Sequence, residues 1–339
     1  YTTLFRSAME QEISGIHHVT AIAGDPQRNI DFYTGLLGLR LVKLTVNFDD
    51  PGTYHFYYGD GQGSPGTLVT FFPWPGAPRG RTGTGQVTVT SFAVPEGSFA
   101  YWRERLPEHG VAPAETRSAF GDSLLAFPDP DGLQLELVET GGAAPGRPWE
   151  EGPVPAASAI RGLHRVTLSV EGYDRTAALL TETMGFRQAA ARDNCFRFET
   201  GAGRAGSIVD LLCAPDAGPG RVAPGAVHHV AWRTPGEPQQ LRWRAVLTSA
   251  HAYNVTPVID RRYFRSIYFR EPGGVLFEIA TDAPGFTVDE PAAELGRRLQ
   301  LPERHEPMRA ELGRKLPPLR LPAPYRNSST AKTGKWSEG

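Results

Sequence analysis

Four of the nine histidines form two identical pairs, and these pairs are the strongest chemical signal in the 339-residue sequence. The pairs are His17-His18 and His228-His229, each within a short alternating apolar segment that predicts a β-strand. Carboxylates that could complete a ligand set lie in three other strand-like segments, at Glu136, Asp210 and Glu278. Two imidazoles and one carboxylate form the facial triad that leaves positions open for substrate and O₂ on non-haem Fe(II). The sequence therefore predicts a metal site, provided that the fold brings two such histidines to one carboxylate.

The elements that must position these side chains recur four times along the chain. Each repeat opens with an alternating apolar strand, which is followed by a short amphipathic helix and several strand-like runs. The four opening strands are Ile16-His-His-Val-Thr-Ala, Gln86-Val-Thr-Val-Thr-Ser-Phe, Leu163-His-Arg-Val-Thr-Leu and Val227-His-His-Val-Ala-Trp. A single β-α-β-β-β unit cannot bury its apolar face alone, so the units are expected to pair into curved, barrel-like sheets. The predicted fold class is α+β, with four units paired into two domains.

The domain boundaries follow from composition. A Gly- and Pro-rich stretch indicates a linker between units two and three, and a polar C-terminus predicts a mobile tail. The predicted segments are an upstream extension or expression remnant (1–8), an N-terminal domain of units one and two (9–140), a linker (141–158), a C-terminal domain of units three and four (159–285), a closing segment (286–325) and the tail (326–339).

The pairing of units decides which of them could build the metal site. The positions compared, opening strand then final strand, are His18 and Thr70 in unit one, Thr88 or a neighbour and Glu136 in unit two, Arg165 and Asp210 in unit three, and His229 and Glu278 in unit four. Only units one and four together supply two histidines and one carboxylate. The remaining carboxylates, Glu136 and Asp210, resemble a degenerate second site and are predicted to be structural.

Within each histidine pair, the second member is the predicted ligand. Neighbouring strand residues point to opposite faces, so both members of a pair are not expected to enter one barrel. Unit three keeps His164 at the first position but has Arg165 at the second. If unit three holds no metal, the first position has either a structural role or a role in supporting a ligand, and His18 and His229 are favoured as ligands. Thr20 lies on the same face as His18 and is expected to face the cavity.

A basic and phenolic cluster precedes Glu278 in unit four. Beside a metal, it could hold an anionic, oxygenated substrate. Alternatively, it is an exposed, charged strand edge. Its members are Arg261, Arg262, Tyr263, Arg265 and Tyr268.

Composition excludes several other classes of protein. The net charge is −2, which argues against a protein that coats nucleic acid or an anionic membrane. No apolar run is long enough to span a bilayer, and no secretory signal is visible. Cys195 and Cys213 are the only cysteines, which excludes a disulfide scaffold and a Cys-rich zinc site. They are most simply reduced thiols in a cytoplasmic protein, and the sequence is compatible with a homo-oligomer.

Several segments resemble the vicinal-oxygen-chelate (glyoxalase) superfamily, and more narrowly its hydroquinone ring-cleaving dioxygenases of the dichlorohydroquinone dioxygenase type. The resemblance runs from about residue 13 to 322. The segments that carry it are His17-His-Val-Thr, Asp31-Phe-Tyr-Thr-Gly-Leu-Leu-Gly-Leu-Arg, Tyr54-His-Phe-Tyr-Tyr-Gly-Asp, Gly63-Ser-Pro-Gly-Thr, Pro272-Gly-Gly-Val-Leu-Phe-Glu and Leu295-Gly-Arg-Arg-Leu-Gln-Leu-Pro.

The resemblance implies an Fe(II) enzyme that cleaves the ring of a small hydroquinone-type dihydroxyarene and inserts both atoms of O₂. It implies that His18, His229 and Glu278 bind the metal, for which Mn(II) is the alternative. It also implies that five residues surround the substrate, namely His17, Thr20, His228, Arg261 and Tyr268. Tyr268 or a neighbouring histidine such as His228 would serve in acid–base catalysis, and Arg261 would offset anionic charge.

Three other functions stay open at this point. A catechol extradiol dioxygenase shares the ligand triad. A glyoxalase-like lyase or isomerase usually has a fourth protein ligand, and Thr70 occupies the expected position. A metal-free protein that binds an aromatic compound would have no need of the His-His-Glu set.

Overall fold

The computed structural model describes residues 13–142, 146–249 and 251–325, and within these ranges the predicted four-fold repeat is confirmed. Unit one contains β1 (Ile16–Ala23), α1 (Pro26–Ile30, continued by a π-helical turn at Asp31–Leu36), β2 (Arg40–Val46), β3 (Tyr54–Gly59) and β4 (Leu68–Pro73). Unit two contains β5 (Gln86–Pro95), α2 (Phe99–Glu108), β6 (Ala114–Arg117), β7 (Ser123–Pro128) and β8 (Gln134–Thr140).

The second half of the chain repeats this order of elements. Unit three contains β9 (Gly162–Val170), α3 (Asp174–Ala178, continued by a π-helical turn at Leu179–Thr183), β10 (Arg187–Arg192), β11 (Cys195–Glu199) and β12 (Ile208–Cys213). Unit four contains β13 (Ala226–Thr234), α4 (Glu237–Ser249), β14 (Ile259–Asp260), β15 (Arg265–Arg270) and β16 (Leu276–Thr281). None of the helices within the described ranges is both long and apolar enough to cross a membrane.

The two sheets do not follow the two halves of the chain. The first, which we call the 1–4 sheet, has the strand order β14-β15-β16-β13-β1-β4-β3-β2. The second, the 2–3 sheet, has the order β10-β11-β12-β9-β5-β8-β7-β6. The predicted division into a 9–140 domain and a 159–285 domain is therefore wrong for the sheets, since each sheet takes one unit from each half. The predicted linker at 141–158 joins two units of the same sheet.

Pairing between opening strands explains this exchange. Each opening strand pairs in parallel with the last strand of its own unit, as β1 does with β4 and β13 with β16. Its other edge is free to pair antiparallel with a second opening strand. β1 pairs with β13, and β5 pairs with β9. The pairing of unit one with unit four is the one that the ligand argument required.

A β-bulge occurs at the same position of all four units. In each antiparallel pairing, one residue of the opening strand has no partner, so two residues oppose one. The bulged residues are His17, Thr88, His164 and His228. A bulge changes the direction of the side chains around it. In unit two, the residue that follows the bulge is Val89, so Val89 rather than Thr88 occupies the position equivalent to His18.

The closing segment packs against unit one. Leu299 forms a β-bridge with Leu44 of β2, and the Tyr325 hydroxyl accepts a 2.6 Å hydrogen bond from the backbone N–H of Leu41. The buried Lys43 ammonium donates to Asp289 over 2.6 Å, and also to Glu290. The predicted extension at 1–8 and the predicted tail at 326–339 lie outside the described residues.

Candidate metal centre

The structure brings together the three residues that the unit pairing selects. They lie on adjacent strands of the 1–4 sheet, His18 on β1, His229 on β13 and Glu278 on β16. The Nε2 atoms of the two histidines are 3.3 Å apart, and Oε2 of Glu278 lies 3.3 Å from His18 and 2.9 Å from His229. All three residues are at most 5% exposed. Among the described residues, this is the one group of three or more His, Cys, Asp or Glu side chains arranged to hold a metal ion.

The hydrogen bonding of Glu278 fits a metal ligand. Its Oε1 atom accepts a short hydrogen bond from the Ser266 hydroxyl, while Oε2 is buried and accepts no well-formed hydrogen bond. Burial alone would raise the pKa of Glu278, but His18 and His229 hold that pKa well below its usual range. Burial also lowers the pKa of His229. An ionised carboxylate and a neutral imidazole present the lone pairs that coordination needs.

Each candidate ligand histidine is hydrogen-bonded to the bulged histidine that precedes it. Nδ1 of His17 lies 2.9 Å from Nδ1 of His18, and Nδ1 of His228 lies 2.7 Å from Nδ1 of His229. Burial and the adjacent histidine lower the pKa of both His17 and His228 to about 3, so these rings are neutral and can accept the bond. Such a bond fixes the ring orientation of a metal-binding histidine and leaves Nε2 free.

The strict alternation used to separate the two members of each pair is therefore wrong at this point. The bulge lets consecutive rings approach each other within hydrogen-bonding distance, although they occupy neighbouring positions on one strand. His17 is 2% exposed and lies behind His18, against Phe264. His228 is half-buried, so part of its side chain remains exposed.

Two members of the basic and phenolic cluster lie beside the three candidate ligands. Tyr268 is the cross-strand partner of Glu278, and its ring centroid lies 5.7 Å from that of His229. Arg261 Nε donates to the Tyr268 hydroxyl over 3.2 Å, and Arg261 Nη1 donates to Asp49 over 2.8 Å. Burial and the Glu278 carboxylate raise the pKa of Tyr268. Although burial opposes the charged form of Arg261, Tyr268 and Asp49 raise its pKa.

The other three members of this cluster have different partners. Arg262 Nε and the Tyr263 hydroxyl both donate to Asp289 of the closing segment, over 2.7 and 3.1 Å. Arg265 forms a half-exposed ion pair with Glu237 on α4. Within this cluster, Arg261 and Tyr268 therefore lie beside the candidate ligands, and their contact with a substrate stays a prediction. The others hold the closing segment and a surface helix.

A line of hydrogen-bonding groups continues across unit one. The hydroxyl oxygens of Thr20 and Thr70 are 2.8 Å apart, and Thr70 is also 2.9 Å from Nε2 of His55. Thr20 is the cross-strand partner of His229, which places this line next to the candidate ligands. His55 is not among the site residues that the sequence predicts. Its position two residues before Tyr57 is informative only once the structure shows that Tyr57 pairs with Thr70.

In the 2–3 sheet, an arginine occupies the position of a ligand histidine. Arg165 is 2% exposed and lies 2.6 Å from Glu136, 3.1 Å from Asp210 and 3.5 Å from Asp122. Arg197 also pairs with Asp210, at 2.8 Å. The carboxylates that resembled a degenerate metal site are therefore neutralised by arginine, in agreement with the structural role predicted for them.

The fold and this site define a protein of four β-α-β-β-β units in which two units jointly carry a buried two-histidine, one-carboxylate cluster. The family described as the Glyoxalase/Bleomycin resistance protein/Dioxygenase superfamily matches residues 15–137 and 162–279. The chain belongs to this superfamily.

Within this superfamily, the chain is similar to proteins that are named as ring-cleaving dioxygenases. The chain is 47% identical over 313 residues to "Putative ring-cleaving dioxygenase MhqO" of Bacillus subtilis, a match that covers 92% of this chain and 99% of that protein. It is 34% identical over 313 residues to "Chlorohydroquinone/hydroquinone 1,2-dioxygenase" of Sphingobium indicum, over 90% of this chain and 96% of that protein. A crystal structure from Bacillus subtilis is similar with a TM-score of 0.88 at 46% identity, over 92% of this chain and 99% of that one. The predicted resemblance to ring-cleaving dioxygenases is confirmed.

Proposed function

We propose that this protein is an Fe(II)-dependent dioxygenase that cleaves the ring of a hydroquinone-type dihydroxyarene and incorporates both atoms of O₂ into the product. The observation that carries the proposal is the convergence of His18, His229 and Glu278 beside the Tyr268–Arg261 pair. The similarity to a relative named for its action on hydroquinones supports the choice of substrate.

The three candidate ligands fit Fe(II). Two imidazoles and one carboxylate on adjacent strands provide the facial set of non-haem iron oxygenases, and Mn(II) accepts the same donors. Bound Fe(II) would supply the electron transfer between an aromatic substrate and O₂, which react poorly without it. His17 and His228 would hold the ligand rings in place through their Nδ1 contacts.

Tyr268 and Arg261 would act on the oxygen atoms of the substrate. Because its pKa is raised, the Tyr268 hydroxyl remains protonated at neutral pH and can donate a hydrogen bond or a proton. Arg261 remains cationic, so it can offset the negative charge of a substrate that has lost a phenolic proton. Hydrogen bonds to Asp49 and Tyr268 hold the Arg261 guanidinium group in place and so fix the position of its positive charge.

The surroundings of Thr70 argue against the glyoxalase-like alternative. Thr70 occupies the position at which a fourth ligand is expected, but its hydroxyl is engaged by Thr20 and His55. A neutral, hydrogen-bonded hydroxyl is a poor substitute for a carboxylate. With three protein ligands, a bound metal would have more coordination positions open to substrate and O₂ than in a lyase of that type, which has four.

The test is O₂ uptake by protein loaded anaerobically with Fe(II) and supplied with hydroquinone or catechol in parallel. We expect one iron per chain and stoichiometric uptake with hydroquinone. Both should be lost in His229→Ala and retained in the control His109→Ala, which changes an exposed histidine on the surface. Preference for catechol would move the substrate assignment to the extradiol class. Iron binding without uptake for either compound would refute the dioxygenase proposal.

A further inference from the structure

His55 lies on the same face of the 1–4 sheet as the candidate ligands, two strands away from His18. In the 1–4 sheet the strands run in the order β13, β1, β4, β3, and they carry His229, His18, Thr70 and His55 respectively. Adjacent strands are about 4.8 Å apart, so the backbone of β3 is about 10 Å from the backbone of β1. A ring with para hydroxyls, hydrogen-bonded at one end, has a comparable length. The adjacent hydroxyls of a catechol cannot reach both ends of such a span.

Two aromatic side chains hold the His55 ring in a defined orientation. Its centroid lies 4.0 Å from that of Tyr57 and 4.2 Å from that of Phe72. Phe72 in turn packs edge-on to His228, with centroids 6.0 Å apart. His55, Phe72 and His228 are all half-buried, so each keeps part of its surface exposed. These residues form an aromatic wall that connects His55 with the candidate metal centre.

The hydrogen bonds of His55 leave one nitrogen available to a ligand. Nε2 is bound to the Thr70 hydroxyl, which is bound to Thr20 in turn. Within the described part of the chain, Nδ1 has no hydrogen-bond partner. Burial, together with His18 and His229, lowers the pKa of His55 well below its usual range. A neutral imidazole in a fixed orientation can donate to or accept from a phenolic hydroxyl without adding charge.

We propose that His55, held by Thr70, is a specificity-determining residue that binds the substrate hydroxyl remote from the candidate ligands and so selects para over ortho dihydroxyarenes. This inference rests on the proposed function, because it assigns the second hydroxyl of that substrate. Tyr57 and Phe72 would pack against the edge of the substrate ring. Thr70, itself hydrogen-bonded to Thr20, would keep its hydrogen bond to Nε2 of His55.

The test measures the anaerobic affinity of metal-loaded protein for hydroquinone, catechol and phenol. His55→Phe keeps an aromatic ring between Tyr57 and Phe72 but removes both nitrogens. We expect its affinity for hydroquinone to fall about tenfold, the loss that one good hydrogen bond implies. Affinity for phenol and catechol should change less than threefold. His55→Asn retains a polar group near Nδ1 and should recover most of the affinity for hydroquinone.

Equal loss for all three compounds, or no loss for hydroquinone, would overturn the assignment of His55. The same holds if His55→Asn behaves like His55→Phe, because the effect would then depend on shape. If His55→Phe does not load metal, Thr70→Val takes its place in the same comparison, because valine cannot form the hydrogen bond to Nε2 of His55. Failure of the proposed function shows separately, as wild-type protein that binds hydroquinone more tightly than phenol but takes up no O₂. Wild-type protein without that preference would overturn the inference itself.

Discussion

Arg165 offers a test of how the 2–3 sheet tolerates buried carboxylates without a metal. Its side chain is 2% exposed and lies within 3.1 Å of both Glu136 and Asp210. The substitution Arg165→Met keeps most of the aliphatic stem and removes the charge. Asp210 would keep its second partner, Arg197, while Glu136 would keep only the Ser91 hydroxyl.

The expected loss of stability follows from burial. Removing one partner of a buried ion pair costs about 3–5 kcal/mol, because the other charge is left without compensation. The same change at an exposed pair costs about 0–1 kcal/mol. Arg187 provides the matched control, because it contacts Glu199 at the same 2.6 Å distance, but its side chain is 54% exposed. Burial should therefore separate Arg165→Met from Arg187→Met by about 2–5 kcal/mol.

Urea-induced unfolding of metal-loaded protein measures both variants. We expect the Arg165→Met/Glu136→Gln double variant to be more stable than Arg165→Met, because the amide carries no charge to be neutralised. Metal content should not change, since the candidate ligands belong to the other sheet. A loss below about 1 kcal/mol in Arg165→Met, similar to that in Arg187→Met, would refute the view that Arg165 neutralises this cluster.

Three further predictions concern single side chains. Glu278→Gln should abolish metal binding, measured by elemental analysis, while Glu136→Gln, a carboxylate of the other sheet, should retain it. Burial lowers the pKa of His164 from 6.5 to about 3, so the unfolded chain binds more protons below pH 6.5 and stability falls as the pH falls. Between pH 7 and 5 this should cost the wild type about 2 kcal/mol more than His164→Gln in urea unfolding, and parallel curves would contradict it. Lys43→Met leaves two carboxylates of the closing segment without their buried cation. Limited proteolysis should then cut that segment faster than in the wild type. An unchanged cleavage rate would show that Lys43 does not hold the segment.

The repeat and the convergence of His18, His229 and Glu278 could be predicted from the sequence because both depend on residue type and spacing. The opening strands are similar enough to align by eye, and a histidine in the same register of two units is informative without any coordinates. Charge and ligand chemistry then left one combination of units. That combination, unit one with unit four, is also the one that forms the 1–4 sheet. The domain boundaries drawn from composition instead place these two units in different domains.

The bulges and the role of His55 could not be predicted in the same way. Alternation assumes a regular ladder, and a bulge inserts one residue without any signal in polarity. His17 and His228 are consequently closer to their neighbours than a regular strand allows. His55 depends on which strands become adjacent, since its contact with Thr70 requires the β3–β4 register. Local sequence patterns carry no information about that register.

The two sheets show how one repeat can produce a single candidate metal site. The residue after the bulge is His18, Val89, Arg165 or His229 in the four units. In the 1–4 sheet, the proposed metal ion would neutralise the carboxylate of Glu278 from outside the chain, next to the two imidazoles. In the 2–3 sheet, the guanidinium group of Arg165 supplies that positive charge permanently, and Val89 offers no lone pair. Replacing Arg165 by histidine would therefore remove the internal cation while providing only one imidazole, so that change alone should not create a second metal site.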